Sequence, residues 1–363
     1  MIKNQYKPDF VTPPGESLLE TLEVIGMTQA EFAERTGRPK KTINEIIRGK
    51  AMITPETALQ FEKVLGVPAS FWINREQNYQ EWLAREREKS NLEQQLSWIE
   101  KFPVKEMVAL GWIEKCTDPL DTLNELLRFF GIASPLQWNA VSNDLSLAFR
   151  RSVAYKAEPE IISAWLRKGE IEAQSIDCEP FDAESFRNAL NEIRSLTSES
   201  PEVFQTRIIE LCANAGVAVV FIHELRKLRT NGATRWLNPS KALMQLSLLY
   251  KTDDHLWFTF FHEAGHILLH GKRDIFLEEN SFSNTTKEDE ANRFAADWLI
   301  PPREYKKFYP RGNYFSKAEI REFANRVGIA PGIVVGRLQH DGRIPMKNCN
   351  DLKRKLVWAS DNK

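Results

Sequence analysis

The chain has 363 residues, of which 42% are hydrophobic and 27% charged, a composition typical of a globular protein with two or three domains. Lys and Arg number 49 against 50 Asp and Glu, so no overall positive field attracts the chain to nucleic acid, and any DNA binding must be local. Four widely separated cysteines without a C-x-x-C pair exclude a secretory disulfide framework and favour the reducing cytoplasm. Because no run of 18 apolar residues and no apolar signal region occurs, we expect no membrane contact.

The first part of the chain consists of short helical segments separated by glycine and proline. Helices are predicted over 16–25, 28–36 and 39–48, with Gly37 in the turn between the last two, and a further helix starts at Thr54. This is helix-turn-helix spacing. In such a motif the second helix lies in the major groove of DNA, with its first turns toward the base edges.

The segment 35–50 is strongly basic. It has six Lys or Arg residues and a single acid, Glu45, which is enough positive charge to contact several DNA phosphates. The short polar side chains of Thr42 and Asn44 suit base edges, and Gln29 is placed for a phosphate or a flanking base. A helical packing module with a solvated basic face is the alternative. The predicted DNA-binding residues are Gln29, Arg38, Lys40, Lys41, Thr42, Asn44 and Arg48.

The segment from Pro13 to Gln80, which begins PPGESLLETLEVIGMTQ and includes FWIN at 71–74, resembles the HigA-type antitoxins of the Xre-like helix-turn-helix class. The resemblance implies a five-helix DNA-binding domain, which we assign to 1–80. It also implies a homodimer that reads the two half-sites of a palindromic double-stranded DNA operator about one helical turn apart. Such proteins repress their own promoters, and a cognate toxin is the implied protein partner.

The region after this domain is predicted to be helical. Residues 76–95 are highly charged and lack Gly and Pro, which indicates an exposed helix that links two domains or contributes a dimer contact. The helical pattern continues from Leu96 to Ala215, and we assign 81–180 to a linker and scaffold. Its aromatic residues fall at helical spacing, which favours a core over a ligand cage; they include Phe129, Phe130, Trp138 and Trp165.

The pattern changes at Val217. Residues 217–222 form an apolar run typical of a buried strand, and shorter strands are predicted at 233–236 and 242–247. The fold class expected for the whole chain is therefore mainly α with a small sheet (α+β). An edge of this sheet beside a cleft is a possible seat for an extended peptide substrate, through strand addition.

The segment FTFFHEAGHILLH at 258–270 places His262, Glu263 and His266 in the pattern H-E-x-x-H on a predicted helix. Residues four apart share one helical face, so both imidazoles can bind one metal ion. Glu263 lies beside them, where its carboxylate can accept a proton from water at the metal. The apolar flanking residues favour a buried helix at a cleft over two surface histidines. His270 continues the row and is assigned a hydrogen-bonding or packing role behind the site.

A catalytic zinc site takes three protein ligands and leaves one position open. A second helix is predicted over 287–301, and helical phase places Glu288 nearest to its apolar stripe, with Glu290 as the second choice. The alternative role for Glu288 is a favourable charge in the first turn of a helix.

The sequences HEAGHILLHG and EDEANRFAADWLIP resemble the ImmA/IrrE family of metallopeptidases. In that family H-E-x-x-H supplies two zinc ligands and a base, and the Glu that opens E-x-x-A-N supplies the third ligand. The resemblance implies that His262, His266 and Glu288 bind Zn2+ and that Glu263 is the catalytic base. It also implies a zincin-like metallopeptidase domain with gluzincin-type ligands, which we assign to 181–363.

Taken together, these patterns predict a cytoplasmic, antitoxin-like transcriptional regulator that hydrolyses a peptide bond in a partner protein. The alternative is a HigA-type repressor or antitoxin whose peptidase-like domain binds a partner or ligand without significant proteolysis. A hydrolase that acts on a non-peptide bond is a third, weaker possibility. The side chains considered for stabilising an oxyanion are His223, Tyr250 and His255, each of which also suits a structural role.

Overall fold

The structure is a computed structural model. It describes residues 10–138, 140, 158–271, 276–279, 286–308 and 315–359, with the backbone alone at 276–279. The chain separates into two compact units, Met1–Leu96 and Ser97–Lys363. Helices dominate the described residues and one small sheet lies in the second unit, which confirms the predicted α+β class. No described helix combines the length and the apolar character needed to cross a bilayer.

The first unit forms five α-helices over residues 10–96. They are α1 (Pro14–Val24), α2 (Gln29–Thr36), α3 (Lys40–Ile47), α4 (Pro55–Leu65) and α5 (Ala69–Glu93). The predicted start and stop signals operate as expected: the Thr28 hydroxyl accepts a hydrogen bond from the backbone N–H of Glu31, and Gly37 ends α2 at φ 67°. Thr54 caps α4 in the same way. The helix-turn-helix prediction is confirmed in its element order.

Helices α1 and α3 pack together unusually closely. A Cβ atom at Gly15 would lie 2.2 Å from the backbone oxygen of Ile46 and 2.4 Å from the Cα atom of Ile47. Phe32 and Ile43 are fully buried next to this contact, in the core shared by all five helices. The position of α3 therefore depends on the absence of a side chain at residue 15.

Helix α5 contains most of the charged segment for which an exposed helix was predicted. Residues 84–91 are all exposed. Near the start of the helix, Glu76 is only 6% exposed. Its carboxylate accepts hydrogen bonds from the backbone N–H of Ile53 at 3.0 Å and from Nε2 of Gln80 at 2.8 Å. The bond from Ile53 ties α5 to the loop before α4, and the bond from Gln80 fixes the carboxylate within α5.

The second unit contains the remaining described elements. Its first helices are α6 (Val104–Ala109), α7 (Pro119–Phe130), α8 (Pro159–Gln174), α9 (Ala183–Ser195) and α10 (Pro201–Ala213). The strands are β1 (Val217–Phe221), β2 (Thr230–Asn238), β3 (Lys241–Leu246) and β4 (Phe276–Glu279). The later helices are α11 (Asp253–Leu269), α12 (Thr286–Leu299), α13 (Pro302–Lys307), α14 (Lys317–Val327) and α15 (Pro331–His340).

The sheet has the order β1-β3-β2-β4. Strand β1 pairs with β3 in parallel, and β2 pairs antiparallel with both β3 and β4. The three predicted strands are confirmed, although β2 begins at Thr230, three residues earlier than expected. Strand β4 was not predicted from the sequence. It pairs with β2, so the sheet edge on that side is β4 and not β2.

Helix α8, from the middle of the chain, packs on this sheet. Trp165 is fully buried, and its Nε1 donates a hydrogen bond to the backbone oxygen of Ile222 at 3.3 Å. Gln245 on β3 donates from Nε2 to the backbone oxygen of Trp165 at 2.7 Å. The core prediction for the aromatic residues is confirmed, because all four are at most 9% exposed: Phe129, Phe130, Trp138 and Trp165.

Helix α11 is buried along most of its length, and its first turn is held by the end of the chain. The backbone N–H of Asp253 donates to the backbone oxygen of Arg354 at 3.0 Å. Nζ of Lys353 lies 2.7 Å from Oδ2 of Asp254, with both side chains less than 10% exposed. A Cβ atom at Gly336 of α15 would lie 2.8 Å from the same carboxylate. These contacts hold the first turn of α11 against residues 353–354 and against α15.

Candidate metal centre and DNA interface

Three side chains from α11 and α12 converge. The Nε2 atoms of His262 and His266 lie 2.9 Å apart. Oε2 of Glu288 lies 3.2 Å from Nε2 of His262, and Oε1 lies 3.5 Å from Nε2 of His266. Among the described residues this is the one group of three or more His, Cys, Asp or Glu side chains that could hold a metal ion. The structure thus brings together the three side chains that the sequence analysis selected as ligands.

The spacing of these atoms fits a tetrahedral zinc site. Bonds of about 2.0 Å at tetrahedral angles would place two ligand atoms about 3.3 Å apart. The two Nε2 atoms are 2.9 Å apart, Oε2 of Glu288 lies 3.2 Å from Nε2 of His262, and Oε1 of Glu288 lies 3.5 Å from Nε2 of His266, all close to that value. Two imidazoles and one carboxylate also form a ligand set found in catalytic zinc sites. The residues present therefore fit Zn2+.

The ring nitrogens that face away from the group have partners. Nδ1 of His262 lies 3.0 Å from Oδ1 of Asn292, an acceptor, so His262 carries its proton on Nδ1 and presents a lone pair on Nε2. Nδ1 of His266 lies 2.9 Å from Nδ1 of His270. Nε2 of His270 lies 3.1 Å from Oε2 of Glu290. Glu290, the second choice for the third ligand, thus contacts His270.

Burial and hydrogen bonding set the charges of the group. His262 and His266 are each 1% exposed. Burial lowers the pKa of His266 to about 4, against the opposing effect of the nearby Glu288 carboxylate. Burial acts to raise the pKa of Glu288, but its interactions with the two nearby histidines outweigh burial and lower the pKa to about 2. At neutral pH His266 is therefore neutral and Glu288 ionised, the forms that bind a metal cation.

Glu263 lies fully buried between α11 and strand β2. The hydroxyl of Thr234 donates a hydrogen bond to Oε2 of Glu263 at 2.5 Å. A Cβ atom at Gly232 would lie 2.6 Å from Oε1 of Glu263, so a side chain there would displace the carboxylate. Gly232 and Thr234 alternate on β2 and share one face of the strand. These two positions hold the carboxylate against β2.

Asn292, Gly232 and Thr234 were not among the site residues predicted from the sequence. Asn292 was recognisable in principle, because it follows Glu288 by four residues and so lies on the same face of α12. Gly232 and Thr234 gave no comparable signal, since their role depends on the packing of β2 against a helix that follows later in the chain.

The side chains considered for oxyanion stabilisation lie in two places. His223 stacks on Trp358, with 5.1 Å between ring centroids. Tyr250 stacks on His255 at 4.2 Å, and both line a pocket that includes Thr259, one helical turn before Glu263. Tyr250 and His255 thus line a pocket that reaches α11 near Glu263, and an oxyanion-stabilising role for any of the three residues stays a prediction.

In the first unit, most of the predicted DNA-binding residues form an accessible polar surface on α2 and α3. Lys40 and Lys41 begin α3 and are exposed, and Arg48 is exposed just beyond its end. The partly exposed members are Gln29, Arg38, Thr42 and Asn44. Arg38 differs from the others, because its Nε donates a hydrogen bond to Oε1 of Gln60 on α4 at 2.7 Å. This bond ties Arg38 to the packing of the unit itself.

The fold and the convergent group define a helix-turn-helix unit joined to a domain of metallopeptidase type. Residues 25–72 match the helix-turn-helix family model, and residues 239–339 match that of the IrrE N-terminal-like domain, peptidase M78. The chain belongs to the HTH-type transcriptional regulators of the Xre-like class and carries an IrrE-like peptidase M78 domain toward its C-terminal end. Both assignments agree with the sequence analysis.

Relatives cover smaller parts of the chain. Over 77 residues it is 30% identical to the HTH-type transcriptional regulator YddM of Escherichia coli strain K12. The matched segment spans 21% of this chain and 79% of YddM. Over 59 residues it is 36% identical to virulence-associated protein A of Dichelobacter nodosus. The matched segment spans 16% of this chain and 58% of that protein.

Two solved structures are also similar to part of the chain. One is an antidote protein of a plasmid maintenance system from Nostoc punctiforme, with 33% identity, coverage of 23% of this chain and 92% of that chain, and a TM-score of 0.23. The other is an addiction module antidote protein of the HigA family from Coxiella burnetii, with 28% identity, coverage of 23% and 91%, and a TM-score of 0.22.

Proposed function

We propose that this DNA-binding regulator acts in the cytoplasm and binds Zn2+ through His262, His266 and Glu288, and that its peptidase M78 domain hydrolyses a peptide bond in a partner protein. The observation that carries the proposal is the convergence of three ligand side chains: the Nε2 atoms of His262 and His266 lie 2.9 Å apart, and each lies within 3.5 Å of a carboxylate oxygen of Glu288. The buried Glu263 directly follows His262 in α11. A repressor or a toxin is the class of partner that we propose as substrate.

A Zn2+ ion, when bound, supplies Lewis-acid chemistry that polarises a peptide carbonyl and lowers the pKa of water. Glu263 accepts the proton of the attacking water and passes it to the amine nitrogen that leaves. The hydrogen bond from Thr234 fixes the orientation of the Glu263 carboxylate. Its burial between α11 and β2 keeps bulk water from competing for the proton.

Repression or antitoxin activity without proteolysis is the second candidate function, because operator binding by the helix-turn-helix unit needs no hydrolysis. The position of Glu263 favours the peptidase: a purely structural zinc site needs no general base and commonly uses four protein ligands. Only the peptidase function requires Glu263 as a base, whereas both functions require the DNA-binding residues.

Removal of Glu288 tests the metal site. We expect the wild-type protein to bind Zn2+ stoichiometrically, and Glu288→Ala to lose more than about 100-fold in affinity, since a lost ligand costs more than a lost supporting contact. Metal analysis after purification and competition titration with a chelator would measure this. Asp289→Ala, which changes the adjacent exposed acid, should bind like the wild type. Wild-type affinity in Glu288→Ala would contradict the proposed ligand set.

The proposed DNA surface makes a separate prediction. A homodimer bound to a palindromic operator upstream of its own gene would place Lys40 and Lys41 near DNA phosphates at each half-site. The double variant Lys40→Ala/Lys41→Ala should bind the operator more weakly and reduce the slope of log K against log salt by about 2 per protomer. Fluorescence anisotropy at several salt concentrations measures both quantities.

The control for this experiment is Lys63→Ala, an exposed lysine on α4, which should keep the wild-type slope. Gel filtration of the wild-type protein shows whether it is a dimer. A monomer without a preferred site in footprinting, or an unchanged salt slope in the double variant, would contradict the proposed surface.

A further inference from the structure

We propose that Glu290 and His270 form a hydrogen-bonded relay that positions His266 for metal binding by determining which of its ring nitrogens carries the proton. The inference rests on the proposed zinc site. The relay runs from Oε2 of Glu290 to Nε2 of His270 over 3.1 Å, and from Nδ1 of His270 to Nδ1 of His266 over 2.9 Å. Both residues of the relay are therefore positioning residues.

The direction of each hydrogen bond follows from the carboxylate. A carboxylate oxygen accepts hydrogen bonds, so in the contact with Oε2 of Glu290 it is Nε2 of His270 that carries and donates the proton. A neutral imidazole has one N–H, so Nδ1 of His270 has the lone pair and accepts from the N–H at Nδ1 of His266. The lone pair of His266 is then on Nε2, the atom that lies 2.9 Å from Nε2 of His262.

The relay connects a partly exposed acid to a buried ligand. The side chain of Glu290 is 52% exposed, whereas that of His270 is 3% exposed. Glu288 and Glu290 are two residues apart on α12, about 200° around the helix, so they approach His266 from opposite sides. Glu288 lies 3.5 Å from Nε2 of His266, and Glu290 acts on Nδ1 through His270. One helix thus supplies both a ligand and the support for another ligand.

A lysine at position 290 should reverse the relay. Because an ammonium group only donates, Nε2 of His270 would accept and its Nδ1 would donate to His266. Nε2 of His266 would then carry a proton that points to the metal position. We expect Glu290→Lys to bind Zn2+ about 10- to 100-fold more weakly than the wild type, the usual cost of a lost supporting contact.

Two variants separate the relay from a simple charge effect. Asp289→Lys makes the same change of charge at the neighbouring exposed acid, about 100° around the helix, and should weaken Zn2+ binding less than about threefold, as an exposed charge acts mainly through screened solvent. Glu290→Gln keeps a side-chain oxygen that can accept from His270, so its affinity should fall between those of the wild type and Glu290→Lys. Thermal unfolding of each variant confirms that it is folded.

Histidine NMR gives a readout that a structural role alone would not change. The chain has six histidines, and selective 15N labelling resolves their tautomers through long-range proton–nitrogen couplings. In the metal-free full-length protein, His266 should be protonated at Nδ1 in the wild type and in Asp289→Lys. In Glu290→Lys the proton should move to Nε2. The signal of His266 is assigned by its loss in a His266→Gln variant.

The outcomes are distinct. Weak Zn2+ binding and a changed His266 tautomer in Glu290→Lys, with normal behaviour of Asp289→Lys, support the relay. Equal weakening by the two lysine variants, or an unchanged tautomer in Glu290→Lys, overturns the relay and leaves the metal site intact. A wild-type protein that binds no Zn2+ overturns the proposed metal site together with the relay.

Discussion

Replacement of Glu263 by Gln is expected to lower hydrolysis of the partner protein by about 10²- to 10⁴-fold, while Zn2+ binding stays close to the wild-type level. Gln has nearly the same shape as Glu, so it should fit beside Gly232 and keep an oxygen that accepts the hydrogen bond from Thr234. An amide cannot accept the proton of the attacking water at neutral pH. The change therefore removes the base and retains the packing.

The measurement is co-expression with the product of the neighbouring gene, followed by quantification of its cleavage, together with the zinc content of each purified variant. Asp289→Asn is the matched control, because it removes a carboxylate from an exposed position next to Glu288. If Glu263→Gln keeps its metal and equals the wild type in cleavage and in every regulatory assay, the peptidase proposal is wrong. The repressor or antitoxin without proteolysis would then be the better description.

The second large effect is expected at Gly15. An alanine there would place Cβ 2.2 Å from the backbone oxygen of Ile46, a distance that only a shift of α1 or α3 can relieve. Overpacking against backbone is costly because no side chain can rotate away, and we expect a loss of about 3 kcal/mol in the unfolding free energy of the first unit, at the upper end for overpacked sites. Operator binding should fall with it, since Lys40, Lys41 and Asn44 all lie on α3.

Thermal and denaturant unfolding of the full-length protein, with operator binding measured at 25 °C, would test this. Glu16→Ala changes the adjacent exposed residue on α1 and should leave both properties near the wild-type level. Zinc binding in the second unit should be the same in both variants. A stable Gly15→Ala protein with normal operator affinity would show that α1 and α3 can separate without cost.

The element order of the first unit was readable from the sequence because its signals are local. Thr28 and Thr54 precede helices that they cap, and Gly37 takes the left-handed conformation that ends α2. Strand β4 had no such signal, since four residues paired only with β2 are defined by their partner. For the same reason Arg38 was assigned to DNA contact alone, whereas its bond to Gln60 joins residues 22 positions apart.

By itself the sequence predicted which side chains form the proposed metal site: the spacing of H-E-x-x-H puts two imidazoles on one face of a helix, and helical phase selects Glu288 on the next one. Only the tertiary structure decided what surrounds these groups. The 2.5 Å bond from Thr234 to Glu263 joins residues 29 positions apart, and Glu290 reaches His270 from 20 positions away. Helical periodicity orders side chains within one element, but it cannot place one element against another. That placement follows from close packing of the core, in which contacts at residues such as Gly232 and Gly336 set how near two elements can approach.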